Sequence, residues 1–106
     1  MINAIDIIAL EWFDKVNGNS YFAATVTTNF GQPDQKDYKL PFQYGYGKHY
    51  IDMAKQLLMS EGVISIEKRS NGTSEALWSY CRENNIILRT TKHENCKKAE
   101  LTAFNI

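Results

Sequence analysis

The sequence predicts an α+β fold: one small domain with an N-terminal three-stranded antiparallel meander and two helices packed on one face of a mainly antiparallel or mixed sheet. Three observations predict it. Apolar and polar residues alternate over three stretches before residue 45, apolar residues then recur at three- and four-residue spacing, and short alternating stretches follow. The predicted order is βββαβαβ, with an eighth element, a C-terminal strand, as an option.

Length and charge restrict the class of protein. The chain has 106 residues, 43% hydrophobic and 12% aromatic, which is enough for one core, so we expect a single domain over 1–106. Twelve basic residues balance twelve acidic ones, which gives no whole-molecule attraction to nucleic acid or anionic lipid. The sequence contains no long apolar run and no basic leader, so we expect no membrane association and a cytoplasmic location.

The first three strands follow from alternation and turn residues. In residues 2–13 apolar side chains fall on both faces of the predicted strand, as in a strand covered at least partly on each side. Asn17-Gly18 is a strong hairpin signal, and the β-branched and aromatic stretch Tyr21–Phe30 is the predicted returning strand. A polar loop leads to the third strand, in which Tyr38, Leu40, Phe42 and Tyr44 are predicted to share one face.

A glycine turn joins this strand to the first predicted helix. Gly45 and Gly47 permit a sharp bend, and the helix is expected at about residues 48–60, with Gly62 ending it. Its apolar stripe consists of Tyr50, Met53, Ala54, Leu57 and Leu58.

The second half of the chain is predicted to alternate strand, helix and strand. Val63–Glu67 is a predicted strand, and after the turn Lys68–Gly72 a second helix is expected, capped by Thr73 or Ser74. The apolar face of this helix consists of Ala76, Leu77, Tyr80 and Cys81, and Asn84-Asn85 stops it.

The C-terminal part returns to strand signals. Ile86–Thr91 is the next predicted strand, and Lys98–Ile106 is an optional last one. The final β-α-β step can also be a parallel crossover, although a mainly antiparallel or mixed sheet is preferred.

The glycine turn is the first candidate site. Backbone N–H groups at the start of the helix, together with Lys48 and the neighbouring His49, can hold an anion. The alternative is a plain strand-to-helix turn, because Gly-x-Gly lacks the full spacing of a nucleotide-binding motif.

Aromatic and amide side chains give two more candidates. Trp12, Tyr44 and Tyr46 can stack on a base or contact a partner if they are exposed, whereas sheet aromatics are more often part of the core. Asn17 and Asn19 in the first hairpin can present polar groups to a ligand, or can simply be the residues that a tight turn needs.

Neither metal binding nor catalysis is expected. Cys81, His93, Cys96 and a remote His49 form an incomplete zinc ligand set, and Cys81 fits a small buried position. Pairs such as Cys96 with His93, or Ser20 with His49, lack the motifs that surround catalytic nucleophiles. We therefore expect no cofactor, no metal, no catalytic residue, and two histidines at the surface.

Residues 12–21, Trp-Phe-Asp-Lys-Val-Asn-Gly-Asn-Ser-Tyr, and 40–47, Leu-Pro-Phe-Gln-Tyr-Gly-Tyr-Gly, carry a resemblance. Over about residues 10–60 the chain resembles small, largely uncharacterised accessory proteins of bacteriophages and prophages. This resemblance implies a compact accessory protein in a bacterial cytoplasm that binds and blocks a host component, including defence systems. It transfers no catalytic residues.

The sequence-based hypothesis is therefore a phage-encoded, non-enzymatic protein that inhibits or sequesters a host protein or a small signalling nucleotide. A nucleic-acid-binding accessory protein that uses the basic second half is the alternative, and a small enzyme comes third. We also expect a homodimer formed through an edge strand, either Val63–Glu67 or the C-terminal strand.

Overall fold

The computed structural model describes residues 2–66 and 75–104, the last three without their side chains. The strands are β1 (Ala4–Asp14), β2 (Asn19–Thr28), β3 (Lys36–Tyr44) and β4 (Ile87–His93), and the helices are α1 (His49–Ser60), α2 (Leu77–Glu83) and α3 (Lys98–Phe104).

In these two ranges the strands form one four-stranded sheet in the order β3-β2-β1-β4. β1 to β3 pair antiparallel, which confirms the predicted meander. β4 pairs parallel with β1, from Ala4 opposite Ile87 to Leu10 opposite His93, so the sheet is mixed. A parallel neighbour requires a crossover, which here includes α1 and α2.

The main core lies between this sheet and the first two helices. The side of the sheet that faces them, which we call the helix face, carries the fully buried Ile5, Ile7, Ala9, Ala24 and Val26. Packed in the same cluster are Ala54 and Leu58 of α1 with Leu77 and Cys81 of α2. The predicted apolar helix faces are therefore confirmed.

The ends of α1 follow from backbone chemistry. Gly62 adopts φ +73°, and its N–H bonds to the Met59 carbonyl at 3.1 Å. Glycine enters the left-handed region without a Cβ penalty, so the predicted role of Gly62 in ending the helix is confirmed.

Strand β3 contains an irregularity that the sequence pattern did not reveal. The register between β2 and β3 slips by one residue, so that Pro41 and Phe42 both lie opposite Ala23. Proline has no N–H for the sheet ladder, and an extra residue reverses the alternation of side chains. The prediction that Phe42 and Tyr44 share a face with Leu40 and Tyr38 is therefore wrong.

The strand predicted at Val63–Glu67 is wrong over residues 63–66, and Glu67 lies outside the described residues. Ile64 and Ile66 are buried in the core, and the Val63 N–H bonds to the Leu58 carbonyl at 2.9 Å. β4 occupies the place beside β1, so alternation at 63–66 reflects packing under the helices and not pairing in the sheet.

The optional strand at Lys98–Ile106 is wrong over residues 98–104, because α3 extends from Lys98 to Phe104, and residues 105–106 lie outside the described residues. α3 contacts β1, β2 and β3, and its Leu101 is fully buried. The Lys98 ammonium lies 5.7 Å from the Trp12 ring centroid, on the side of the sheet opposite α1 and α2. Helices thus cover both faces, and the two predicted edge strands for a homodimer are not the sheet edges.

α2 begins at Leu77 with Ala76 as its N-cap residue and no side-chain cap. The cap predicted at Thr73 or Ser74, and the turn Lys68–Gly72, lie outside the described residues. The end of α2 is confirmed, since Asn85 adopts φ +56°, which stops the helix. No helix in the described ranges has the length and apolar character needed to cross a bilayer.

Candidate functional site

All four strands place one end at the same side of the molecule, which we call the tyrosine end. β1 ends at Asp14, β2 begins at Asn19, β3 ends at Tyr44 and β4 ends at His93. The glycine turn starts here and leads directly into α1. The local signals in the sequence predicted this strand-turn-helix unit.

Gly45 and Gly47 are both needed in this turn, for different reasons. The Gly45 N–H bonds to the Ser20 carbonyl at 3.0 Å, which draws the backbone against β2. A Cβ at Gly45 would lie 2.6 Å from both Phe22 Cε1 and His49 Cδ2, closer than atoms can approach. Gly47 instead has open space around it but adopts φ +60°, which favours glycine.

The turn presents two tyrosine rings to solvent. The Tyr44 side chain is 55% exposed and that of Tyr46 is 69% exposed. Their ring centroids are 6.5 Å apart at an interplanar angle of 75°, an edge-to-face contact. They line a cleft of about 410 Å³, the tyrosine cleft, with Gly45, Lys48, His49 and Asp52.

The tyrosine cleft carries charges of both signs. Lys48 occupies the N-cap position of α1 without a side-chain cap, and Asp52 lies in the first helical turn. The exposed His49 ring packs edge-on against Phe22 with centroids 5.9 Å apart. Because Asp52 lines the same cleft as Lys48, an anion bound at this helix start would meet repulsion as well as attraction.

Trp12 belongs to a packed aromatic cluster on the face opposite the helix face, which we call the aromatic face. Its ring stacks on Tyr21 at 5.5 Å, Tyr21 stacks on Phe42 at 5.1 Å, and Tyr21 meets Tyr44 edge-on at 5.8 Å. With Lys98 over its ring, Trp12 is half-buried. It does not line the tyrosine cleft, and it contacts Tyr21, whose ring in turn contacts Tyr44.

The two hairpin asparagines do not line the tyrosine cleft. The Asn17 amide donates to Asp14 Oδ2 at 2.8 Å, and the N–H groups of Val16 and Asn17 approach Oδ1. These bonds, the side-chain bond from Asn17 first, lower the pKa of Asp14. Asn19 opens β2 opposite Asp14. Asn17 is therefore a structural residue of the turn, and Asn19 is the first residue of β2.

Lys92 of β4 fixes the glycine turn from the other side. Its Nζ donates to the Gly47 carbonyl at 3.1 Å and lies 2.8 Å from Glu11 Oε2 and 3.5 Å from Glu94 Oε1. The hydrogen bond to Glu11 is the main cause that raises the pKa of Lys92. Ser20 therefore holds the turn at Gly45, and Lys92 holds it at Gly47.

The surroundings of both cysteines favour the protonated thiol. No three metal-ligating side chains come together in the part of the chain that the structure describes. Burial raises the pKa of Cys81 to about 11 and also raises the pKa of Cys96. The Cys96 thiol donates to the His93 carbonyl at 3.2 Å and not to its ring, so the arrangement does not favour a thiolate. Both histidines lie at the surface, as predicted.

The basic side chains of the second half largely contact groups of this chain. Arg89 Nε lies 2.7 Å from Asp6 Oδ1, and Lys92 is paired as described above. Arg82 lies over an aromatic ring, whereas Lys68 and Arg69 lie outside the described residues. The Asp6 and Glu11 carboxylates therefore offset the charge that Arg89 and Lys92 would offer to a phosphate backbone.

Trp78 is a surface residue that the sequence reasoning missed. It is 59% exposed, with the Arg82 guanidinium carbon 5.0 Å from its ring centroid. Trp78 and Arg82 each follow an inward-facing residue and so lie about 100° around the helix from the buried face. The four-residue spacing from Trp78 to Arg82 was the available signal.

Trp78 lines a second cleft of about 400 Å³, the tryptophan cleft, between α1, α2 and β4. Its lining also includes Leu77, Leu88 and Thr90. Lys48 and Asp52 line both clefts, so the two adjoin at the start of α1.

Fold and site together define a small mixed-sheet α+β protein with exposed aromatic clefts. The chain matches no protein-family model, and no curated protein and no solved structure shows significant similarity to it.

Proposed function

We propose that this protein is a phage-encoded, non-enzymatic binder that captures a bacterial host protein at the tyrosine cleft and blocks it. Host defence proteins are the first target class to test. One observation carries the proposal: two tyrosine rings, 55% and 69% exposed, stand on a turn whose backbone is fixed. The phage and host assignments rest on the resemblance of about residues 10–60.

The fixed turn makes the tyrosines effective anchors. Gly45 is bonded to Ser20 and Gly47 to Lys92, so the rings project from a backbone that loses little freedom on binding. Tyrosines are enriched among the residues that dominate interfaces, and truncating such an anchor typically costs about 2 kcal/mol or more. Tyr44 is also supported from behind by its edge-on contact with Tyr21.

The charges of the cleft favour a protein over a nucleotide. Lys48 and Asp52 offer one charge of each sign, which suits the mixed charges of a protein surface. A nucleotide phosphate near Lys48 would also lie near the Asp52 carboxylate, which opposes its binding. A small signalling nucleotide remains the second candidate because a volume of about 410 Å³ suits a small molecule and the rings can stack on a base.

Affinity capture from extract of the bacterial host tests the proposal. We expect wild-type protein to retain a specific host protein and the double variant Tyr44→Ala/Tyr46→Ala to lose it. Phe30→Ala is the matched control, since Phe30 is an aromatic residue that is 63% exposed and lies outside the cleft. Retention by the tyrosine variant, confirmed by calorimetry with the purified target, would reject the tyrosine cleft as the binding surface.

Thermal unfolding in the presence of mono- and dinucleotides tests the second candidate. A nucleotide that binds the folded state must raise the unfolding temperature, by an amount that grows with its concentration. A rise in wild-type protein that disappears in Tyr44→Ala/Tyr46→Ala would favour nucleotide sequestration. No rise with any nucleotide leaves protein capture as the function of the cleft.

A further inference from the structure

The two edge strands of the sheet differ in their capacity to pair with another strand. β3 carries Pro41 and the register slip at Phe42, features that interrupt an edge ladder. β4 is regular, contains no proline, and follows the register of β1 over its whole length. Five of its seven residues are exposed. Among the described residues no strand pairs with its outer side.

The outer side of β4 presents the backbone groups of Leu88, Thr90 and Lys92. The Ile87 N–H bonds inward to the Asn3 carbonyl at 3.0 Å, so odd-numbered residues of the strand face β1. Since N–H and C=O directions alternate along a strand, the even-numbered residues point outward. Thr90 is the middle of these three positions.

We propose that a second copy of this chain pairs with this edge, antiparallel and about a two-fold axis through Thr90. Thr90 would face the partner's Thr90, and Leu88 would face the partner's Lys92. All three outward positions are then used, which gives about six backbone hydrogen bonds. The two sheets become one continuous sheet, and the interface is isologous.

Charge and hydrogen bonding select this register over its neighbours. Moving the two-fold axis from Thr90 to Arg89 places Arg89 opposite the partner's Arg89, a like-charge pair that opposes association. Moving the axis to Thr91 instead leaves Leu88 with no residue of the partner's β4 opposite it. Either shift loses two of the backbone hydrogen bonds. In the proposed register Arg89 faces the partner's Thr91, and no like charges stand opposite.

Trp78 gives a second reason for a copy of this chain as the occupant. Its exposed ring lines the tryptophan cleft together with Leu88 and Thr90, immediately beside the β4 edge. Pairing two β4 strands brings two α2 helices side by side on the helix face. The dimer therefore offers cover for a large exposed indole that the monomer leaves in water.

Light scattering and sedimentation with charge variants at the axis test the proposal. We expect wild-type protein at twice its 12.2 kDa chain mass. Thr90→Lys and Thr90→Asp each place like charges across the axis and should weaken self-association about tenfold, whereas their mixture should form a heterodimer. A monomeric wild type, dimers of both variants, or a monomeric mixture would overturn the proposal.

Proline variants test the hydrogen bonding independently. Thr90→Pro removes only an outward N–H, so the protein should still fold and should self-associate about tenfold more weakly than wild type. Thr91→Pro removes an inward N–H and should destabilise the fold itself. If Thr90→Pro dimerises like wild type, β4 is not the interface. Tyr44→Ala/Tyr46→Ala should still dimerise, so failure of target capture and failure of dimerisation are separate results.

Discussion

Asn29 at one end of the sheet and Tyr44 and Tyr46 at the other use their side chains in opposite ways. At the end opposite the tyrosine end, which we call the asparagine end, Asn29 is only 2% exposed. Its Oδ1 accepts from the N–H groups of Asn3 and Ala4 at 2.8 and 3.3 Å, and its amide donates to Asp34 Oδ2 at 2.8 Å. The hydrogen-bonding groups of the Asn29 side chain therefore bind partners inside the molecule.

At the tyrosine end, by contrast, Tyr44 and Tyr46 contribute little to the core and stand in a cleft. The polar contacts there bind the backbone of the turn, through Ser20 and Lys92, and not the rings. The comparison teaches how to tell a structural feature from an available surface. A side chain with its bonding groups satisfied internally stabilises the fold, whereas exposed rings on a fixed backbone are free to bind.

The largest loss of unfolding free energy is expected at the asparagine end. Asn29→Ala leaves two backbone N–H groups without their acceptor and puts alanine at φ +52°, so we expect about 3 kcal/mol lower unfolding free energy. Urea unfolding measures this. Asn17→Ala, in the exposed hairpin, is the control and should lose less than about 1 kcal/mol. Equal losses would remove the contrast between the two ends.

The glycine turn should show the next largest effect. Gly45→Ala forces a Cβ against Phe22 and should destabilise the protein by about 2 kcal/mol and displace the tyrosine rings. Gly47→Ala meets no neighbour, and its positive φ should cost only about 1 kcal/mol. Urea unfolding and target capture by both variants measure stability and site geometry. A Gly45→Ala protein as stable as wild type would contradict the close approach.

A smaller effect with a defined pH dependence is expected at Lys92. Lys92→Met removes the contacts to Glu11 and Gly47 and should lower the unfolding free energy by about 1 kcal/mol near neutral pH. The folded state raises the pKa of Lys92 above its ordinary 10.5, so the stabilisation is complete below pH 10.5 and declines as pH rises through the folded value.

The difference between wild type and Lys92→Met should therefore shrink above that pH. The exposed Lys15 provides the control, because Lys15→Met should leave stability nearly unchanged at every pH. A wild-type advantage over Lys92→Met that stays constant through pH 11 would contradict the ion pair as its source.

The smallest effect on stability is expected at the tyrosines themselves. Tyr44→Ala/Tyr46→Ala removes exposed rings and should change the unfolding free energy by no more than about 1 kcal/mol. Calorimetric unfolding of this variant beside Phe30→Ala measures it. A loss as large as that of Asn29→Ala would mean that the rings are structural, and the tyrosine cleft would lose its status as a free surface.

Much of the candidate site was predictable because its signals are local. Gly45 and Gly47 beside an alternating strand and a helix stripe indicate a turn, and this turn places Tyr44, Tyr46 and Lys48 at one rim. Trp12 could not be placed in this way. Its packing under Lys98 depends on α3, and the sequence analysis offered an optional strand for that segment.

The sequence by itself determined the meander, α1 and the bend between them, since each is specified by neighbouring residues through side-chain period and turn chemistry. The tertiary structure alone decided that β4 lies parallel to β1, that α3 covers the aromatic face, and that the slip at Pro41 turns Phe42 away from the main core. These features depend on which segments bury each other's apolar surface across the fold, and no local window of residues contains that information.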